Sequence, residues 1–134
     1  MSTGLLIVGH GSRDPSANVE FESVVATYRA THPDLHVVHG YVELASPSLV
    51  TALRELAQRV DSVVVLPLFL FAAGHVKNDI PLALSQVRED FPAVQFTVTN
   101  ALGVHPNLID LAFLRAQTAL EGTAEVANTA VVVV

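Results

Sequence analysis

The chain has 134 residues, 51% of them hydrophobic and 15% charged, a composition that favours one folded domain and excludes a disordered chain. It contains no cysteine, which excludes disulfides, thiolate metal sites and cysteine nucleophiles, so any metal ligand must be His, Asp or Glu. A formal charge of -6 without a basic run argues against a nucleic-acid partner, and no apolar run reaches the roughly 20 residues that span a bilayer. We therefore expect a cytoplasmic protein without membrane attachment.

Four short apolar runs alternate with four stretches whose apolar residues recur at helical spacing. The runs predict strands over residues 5–8, 35–42, 62–71 and 94–101. The predicted helices begin at Ser12 or Asp14 with Pro15, at Ser46-Pro47, at Asn78 or Asp79 with Pro81, and at Asn107. Strands that alternate with helices imply right-handed crossovers. The sequence therefore predicts a doubly wound α/β fold, in which a mainly parallel four-stranded sheet carries helices on both faces.

Ligands of such sheets bind beyond the carboxyl ends of the strands, where each strand leads into its helix. The candidate residues at these four places are His10 with Ser12 and Arg13, Glu43, His75 with Lys77, and His105. His10 stands between two glycines and His75 follows two alanines and a glycine, so both imidazoles have room to project into a crevice. Two imidazoles beside the carboxylate of Glu43 predict a metal site that suits Co(II), Ni(II), Fe(II) or Zn(II).

Several of these residues also have structural interpretations. Glu43 can cap the second helix, and Asp79 is predicted to be a helix cap rather than a catalytic acid. Arg13 and Lys77, the only lysine, would supply positive charge for an anionic ligand unless they are ordinary surface residues. His105 fits a functional role and a turn or capping role equally well. Structural roles are expected for the three remaining histidines, His32, His36 and His39.

Four separated motifs occur along residues 5–120. They are residues 9–15 (GHGSRDP), Glu43 with Ser46-Pro47, residues 67–70 leading to Gly74-His75 and residues 79–81, and Leu102-Gly103 with His105-Pro106. Together they resemble the class II chelatases, in particular the sirohydrochlorin cobaltochelatases and their ferrochelatase relatives. The resemblance implies insertion of a divalent metal into sirohydrochlorin or a related tetrapyrrole, in cobalamin or sirohaem biosynthesis. The expected metal is Co2+, with Fe2+ and Ni2+ as alternatives. The reaction would need neither ATP nor an organic cofactor. It also implies that His10 and His75 bind the metal and are catalytic, with Glu43 as an acidic helper.

The chemistry of these residue types agrees with that function. Metal insertion displaces two pyrrole N–H protons, and an imidazole can bind metal when neutral or accept a proton near pH 7. Two imidazoles and one carboxylate leave coordination positions open, unlike a closed four-ligand site. We assign four residues to substrate binding: Ser12, Arg13, Lys77 and Phe71. The two cations would meet carboxylates of the macrocycle, and Phe71 would line its flat face unless it packs in the core.

Two other functions stay open at this point. The glycine-rich turn at residues 9–12 could cradle a phosphate at the start of the first helix, but this leaves Glu43 and His75 unexplained. A metal or tetrapyrrole carrier would use the same ligands without turnover.

The last residues predict a domain boundary. Residues 1–121 are expected to form the chelatase-like domain, and residues 122–134 a linker with the first strand of a second copy, because residues 128–134 repeat the small-polar-to-aliphatic pattern of residues 2–8. One such domain supplies a single wall of a macrocycle cleft, so we expect a homodimer or a tandem second domain. The alternative is that the tail adds a fifth strand to its own sheet.

Overall fold

The computed structural model describes residues 1–71 and 74–121, with Ala130 and Val132; of His75 and Val76 it describes the backbone only. The elements are β1 (Thr3–Gly9), α1 (Pro15–Thr31), β2 (His36–Tyr41), α2 (Leu49–Ala57), β3 (Ser62–Pro67), α3 (Gly74–Asp90), β4 (Gln95–Val98) and α4 (Pro106–Leu120). The chain divides into two compact units, Met1–Gly103 and Val104–Val134, and the sheet with its first three helices forms the first unit. The predictions for residues 122–134 lie outside the described residues, apart from Ala130 and Val132.

The four strands form one parallel sheet in the order β2-β1-β3-β4. Leu6 of β1 lies between Val38 of β2 and Val65 of β3, so the first aliphatic run is a central strand. The chain leaves β1 for β2 on one side and then crosses to β3 and β4 on the other. The strand order therefore reverses between β1 and β3, which is where doubly wound folds bind their ligands.

Helices cover both faces of the sheet within the first unit. Leu6 and Val8 pack in a core cluster with α2 and α3, whereas Leu5 and Ile7 pack against Val25 of α1 on the opposite face. Successive strand residues point to opposite faces, so a strand covered on both sides must be apolar throughout. The predicted α/β class, with its parallel four-stranded sheet, is confirmed.

In the part of the chain that the structure describes, no helix is both long enough and apolar enough to cross a bilayer.

The start of α1 agrees with the sequence. Asp14 is the N-cap residue, Pro15 occupies the first turn, and hydrogen bonds from the hydroxyl and the backbone N–H of Ser16 hold the pKa of Asp14 below its ordinary value. At the other end of α1, His32 is the C-cap residue and its ring stacks on Tyr28, which is a structural role.

The predicted starts of the other three helices are wrong. Ser48, not Ser46, caps α2, and its hydroxyl accepts the Thr51 N–H at 3.2 Å. α3 begins at Gly74, so Asn78 and Asp79 lie inside it and Asp79 is not a cap. α4 is capped by His105 rather than Asn107: the His105 ring accepts the Asn107 N–H at 3.2 Å.

Pro81 explains the error at α3. A proline after a polar residue is typical of a first helical turn, but here Pro81 lies in the middle of the helix. Proline has no N–H to donate to the carbonyl four residues earlier, so the ladder loses its bond to Lys77 at that point. Strand β3 is also shorter than predicted and ends at Pro67.

Candidate metal site

The loops after β1 and β2 are held together by backbone hydrogen bonds. Beyond the paired strands, the Val42 N–H donates to the Gly9 carbonyl at 3.0 Å and the Glu43 N–H donates to the His10 carbonyl at 3.1 Å. The parallel ladder therefore continues for one step past the strand ends, and it brings His10 beside Glu43.

Gly11 is required by this close approach. Its φ is +92°, a conformation that residues with a side chain rarely adopt, and a Cβ built on it would overlap the carbonyl oxygen of Glu43. The chain turns away directly after Glu43, where Leu44 has a φ of 62°.

His10 and Glu43 form a pair with room for a metal ion. The His10 Nε2 atom lies 3.7 Å from Glu43 Oε1, and the side chains are 51% and 55% exposed. Two ligand atoms that each bind the same ion at about 2.0–2.2 Å are roughly 3 Å from each other. A small movement of the two side chains towards each other would therefore let both bind one ion. The Nδ1 atom of His10 lies 3.3 Å from the Gly11 carbonyl, so the ring is oriented with Nε2 towards Glu43.

The third predicted ligand, His75, is described by its backbone only. His75 lies in the first turn of α3, at the carboxyl end of β3, and its side chain lies outside what the structure describes. Among the described side chains, no group of three His, Asp or Glu residues converges on one point. The structure thus brings together two of the three predicted ligands. Glu43 is not the cap of α2, because Ser48 occupies that position.

The predicted substrate-binding residues differ in their surroundings. Phe71 is 70% exposed, so its ring does not pack in the core that the described residues form. Arg13 is exposed, and so is Lys77 in the first turns of α3. The Ser12 hydroxyl accepts the Asp14 N–H at 3.0 Å, and the peptide groups of Ser12 bond to Asn18. Ser12 therefore has a clear structural role in the turn.

Two cavities lie at the carboxyl edge of the first unit. One of about 240 Å³ is lined by residues that include His10, Ser12, Asn18, Phe21, Tyr41 and Phe69. The other, of about 230 Å³, is lined by residues that include Phe69, Lys77, Ile80, Pro81, Val98 and Asn100. Phe69 belongs to both, and its ring meets the His10 ring edge to face at 6.3 Å.

Sequence reasoning missed Tyr41, which lines the cavity beside His10, and Glu22, which binds the Tyr41 hydroxyl. The Tyr41 hydroxyl donates to Glu22 Oε1 at 2.6 Å, and Tyr41 is 1% exposed. Burial and the neighbouring Glu22 carboxylate raise the pKa of Tyr41 far above its ordinary value, so the phenol stays neutral and acts as a donor. The only signal in the sequence is that Glu22 follows the apolar Phe21 on the inner face of α1.

A doubly wound parallel sheet with a His–Glu pair at its strand reversal defines an α/β domain with a candidate metal site. The CbiX family model matches residues 4–119, and the chain belongs to the CbiX family. The resemblance to sirohydrochlorin chelatases that the motifs predicted is confirmed.

Individual relatives show how much of the chain is shared. The chain is 33% identical over 133 residues to sirohydrochlorin cobaltochelatase of Priestia megaterium, covering 96% of this chain and 42% of that protein. It is 33% identical over 126 residues to the chloroplastic sirohydrochlorin ferrochelatase of Arabidopsis thaliana, covering 91% and 56%. The chain thus spans about half the length of these two relatives. A crystal structure of a CbiX protein from Marinobacter aquaeolei VT8 superposes with a TM-score of 0.74 at 27% identity, covering 89% of this chain and 98% of that one.

Proposed function

We propose that this chain inserts a divalent metal ion into sirohydrochlorin or a related tetrapyrrole without ATP. The observation that carries the proposal is the His10–Glu43 pair, 3.7 Å apart and half-exposed, at the strand reversal of a CbiX domain. The names of the relatives supply the substrate class. Cobalt is the proposed metal, with Fe2+ or Ni2+ as alternatives, because His and Glu ligands accept several divalent ions.

One group of residues is proposed to bind the metal ion, and another to place the tetrapyrrole. The ion is a substrate: His10 and Glu43 hold it, and we propose His75 as the third ligand. As the ion passes to the pyrrole nitrogens, two N–H protons leave, and the side chains that give up the ion are then free to accept them. The exposed ring of Phe71 offers a flat apolar contact for the macrocycle.

The experiment that tests this function mixes the purified protein with sirohydrochlorin and Co2+ and follows the absorption bands of the macrocycle. An insertion rate well above the spontaneous rate supports a chelatase. Tight binding of metal or tetrapyrrole without a faster rate would instead identify a carrier. Parallel reactions with Fe2+ and Ni2+ compare the metals.

A phosphate site is disfavoured because the Ser12 N–H, one of the donors of such a turn, already bonds to Asn18.

Arg13 and Lys77 are proposed to bind the carboxylates of the substrate. Arg13→Gln and Lys77→Met are each expected to raise the tetrapyrrole KM roughly fivefold, as for the loss of ~1 kcal/mol of an exposed charge pair, with little change in Co2+ dependence. A cation repels Co2+, so neither residue should assist its binding. Steady-state kinetics with each substrate varied in turn measures both effects.

Arg59→Gln is the matched control, because it removes one positive charge close to the start of β3, at the opposite edge of the sheet. Its KM for the tetrapyrrole should stay at the wild-type value. An effect of Lys77→Met on Co2+ affinity alone would contradict the assignment.

We also propose that residues 1–121 form the chelatase domain, that residues 122–134 lead into a second copy, and that this chain by itself forms a homodimer. The physical reason is that one sheet edge offers only one wall to a macrocycle. Sedimentation at micromolar concentration should show a dimer, before and after deletion of residues 124–134. A monomer throughout would contradict the pairing, and loss of folding on deletion would favour a fifth strand.

The cytoplasmic location expected from the sequence stays a prediction.

A further inference from the structure

One face of α1 contacts the loop that carries His10 and the end of β2, the strand that leads to Glu43. Asn18, Phe21, Glu22 and Val25 follow the spacing i, i+3, i+4 and i+7, which places them on one side of the helix. Val25 is buried in the core between α1 and the sheet, so this side faces inward. The other three residues lie nearer the start of the helix, towards the carboxyl edge of the sheet.

Asn18 clamps the loop that follows His10. Its Oδ1 atom accepts the Ser12 N–H at 3.0 Å, and its Nδ2 atom donates to the Ser12 carbonyl at 2.8 Å. Two parallel hydrogen bonds to one residue fix its orientation as well as its distance from the helix. Ser12 is two residues from His10, and Gly11 between them packs against Glu43.

Glu22, one turn further along α1, holds the end of β2. Its carboxylate accepts the Tyr41 hydroxyl at 2.6 Å, and Tyr41 is the last residue of the strand, two before Glu43. Phe21 fills the space between the two strand ends: its ring lies 5.2 Å from the Tyr41 ring, and a Cβ on Gly9 would meet it at 2.9 Å.

The side chains of His10 and Glu43 are too exposed for burial to hold them, so their separation depends on the backbone that carries them. We propose that Asn18 and Glu22 are positioning residues that hold these two stretches of backbone against α1 and thereby set the distance between His10 and Glu43. This rests on the proposed role of that pair as metal ligands. A site must hold its groups within about 0.5 Å of the productive geometry, and loss of a supporting partner weakens metal binding by about 10–100-fold.

The test compares variants that break these bonds with variants that keep them. Asn18→Leu has a similar size and loses both bonds to Ser12, and Asn18→Asp keeps the acceptor but loses the donor. Glu22→Ala removes the acceptor for Tyr41, whereas Glu22→Gln retains one. Val25→Ala is the matched control, because it weakens the packing of the same helix without touching either loop.

The measurements are the Kd for Co2+ by calorimetry, below the melting temperature of every variant, and the imidazole 1H–13C signal of His10 without metal. Asn18→Leu and Glu22→Ala should raise the Kd several-fold, up to the roughly tenfold loss that follows removal of a direct hydrogen-bond partner of a metal ligand, and should shift the His10 signal. Glu22→Gln should stay near wild type, and Asn18→Asp should fall between. Val25→Ala should lower Tm but change neither the Kd nor the signal.

The proposal is overturned if Asn18→Leu and Glu22→Ala, while folded, leave both readouts unchanged, or if Val25→Ala changes them as much. If Asn18→Leu does not fold, Asn18→Asp and Glu22→Ala decide. Failure of the proposed function looks different: the wild-type protein would then bind Co2+ without inserting it, or His10→Ala would bind Co2+ normally. In either case the His10 signal still tests the positioning.

Discussion

Replacing His10 or His75 by alanine is expected to lower the rate of metal insertion by about 10²–10⁴-fold, the usual loss when a positioned acid–base group is removed, while the protein stays folded. The His10 side chain is half-exposed, so its removal leaves no cavity and should change the free energy of unfolding by less than about 0.5 kcal/mol. The insertion rate and the melting temperature, measured on the same preparations, test both halves of the expectation.

His36→Ala is the control for the loss of an imidazole, because His36 is exposed and begins β2 at the opposite edge of the sheet. It should insert metal at the wild-type rate. If folded His10→Ala or His75→Ala also did so, the role assigned to that residue would be wrong.

Gly11→Ala is expected to disrupt the site through the backbone. A methyl group at this position meets the Glu43 carbonyl, so the two loops must separate, and with them the two candidate ligands. The positive φ of Gly11 adds a cost of about 1–2 kcal/mol for any residue with a side chain. We therefore expect a large fall in Tm together with loss of measurable Co2+ binding by calorimetry.

Gly103→Ala separates the two causes. Gly103 also has a positive φ, of 61°, but the nearest atom to a Cβ there is 3.8 Å away. This variant should show only the backbone cost and should keep its Co2+ affinity. Equal effects of the two substitutions on Tm and Kd would show that the contact with Glu43 is unimportant.

The sequence predicts the sheet and the meeting of His10 with Glu43 for a simple reason. Apolar runs identify the strands, and neighbouring parallel strands end at the same edge, so the residues that follow them come close together. It does not predict the start of α3, because a proline such as Pro81 is far more typical of a first turn than of a helix interior.

The supporting contacts of the site are beyond sequence reasoning for a different reason. The bonds from Asn18 to Ser12 and from Tyr41 to Glu22 join residues 6 and 19 positions apart. Such pairs have no period along the chain, and a polar residue beside an apolar helix face is usually just a boundary between core and solvent. Only the packing of α1 against the strand ends shows what they bind.

The continuation of the β1–β2 ladder past the strand ends has a consequence for motion. Loop backbone ordinarily moves on the nanosecond to microsecond timescale, but the Glu43 amide is bonded to the His10 carbonyl and the Val42 amide to the Gly9 carbonyl. These bonds tie the two stretches of backbone to each other, and the contacts of α1 hold both of them at the sheet edge. Opening of this end of the sheet is a rarer event than ordinary loop motion because the adjoining strand residues are buried. The side chains of His10 and Glu43 therefore need only a small movement to reach an arriving ion, because the backbone that carries them is already in place.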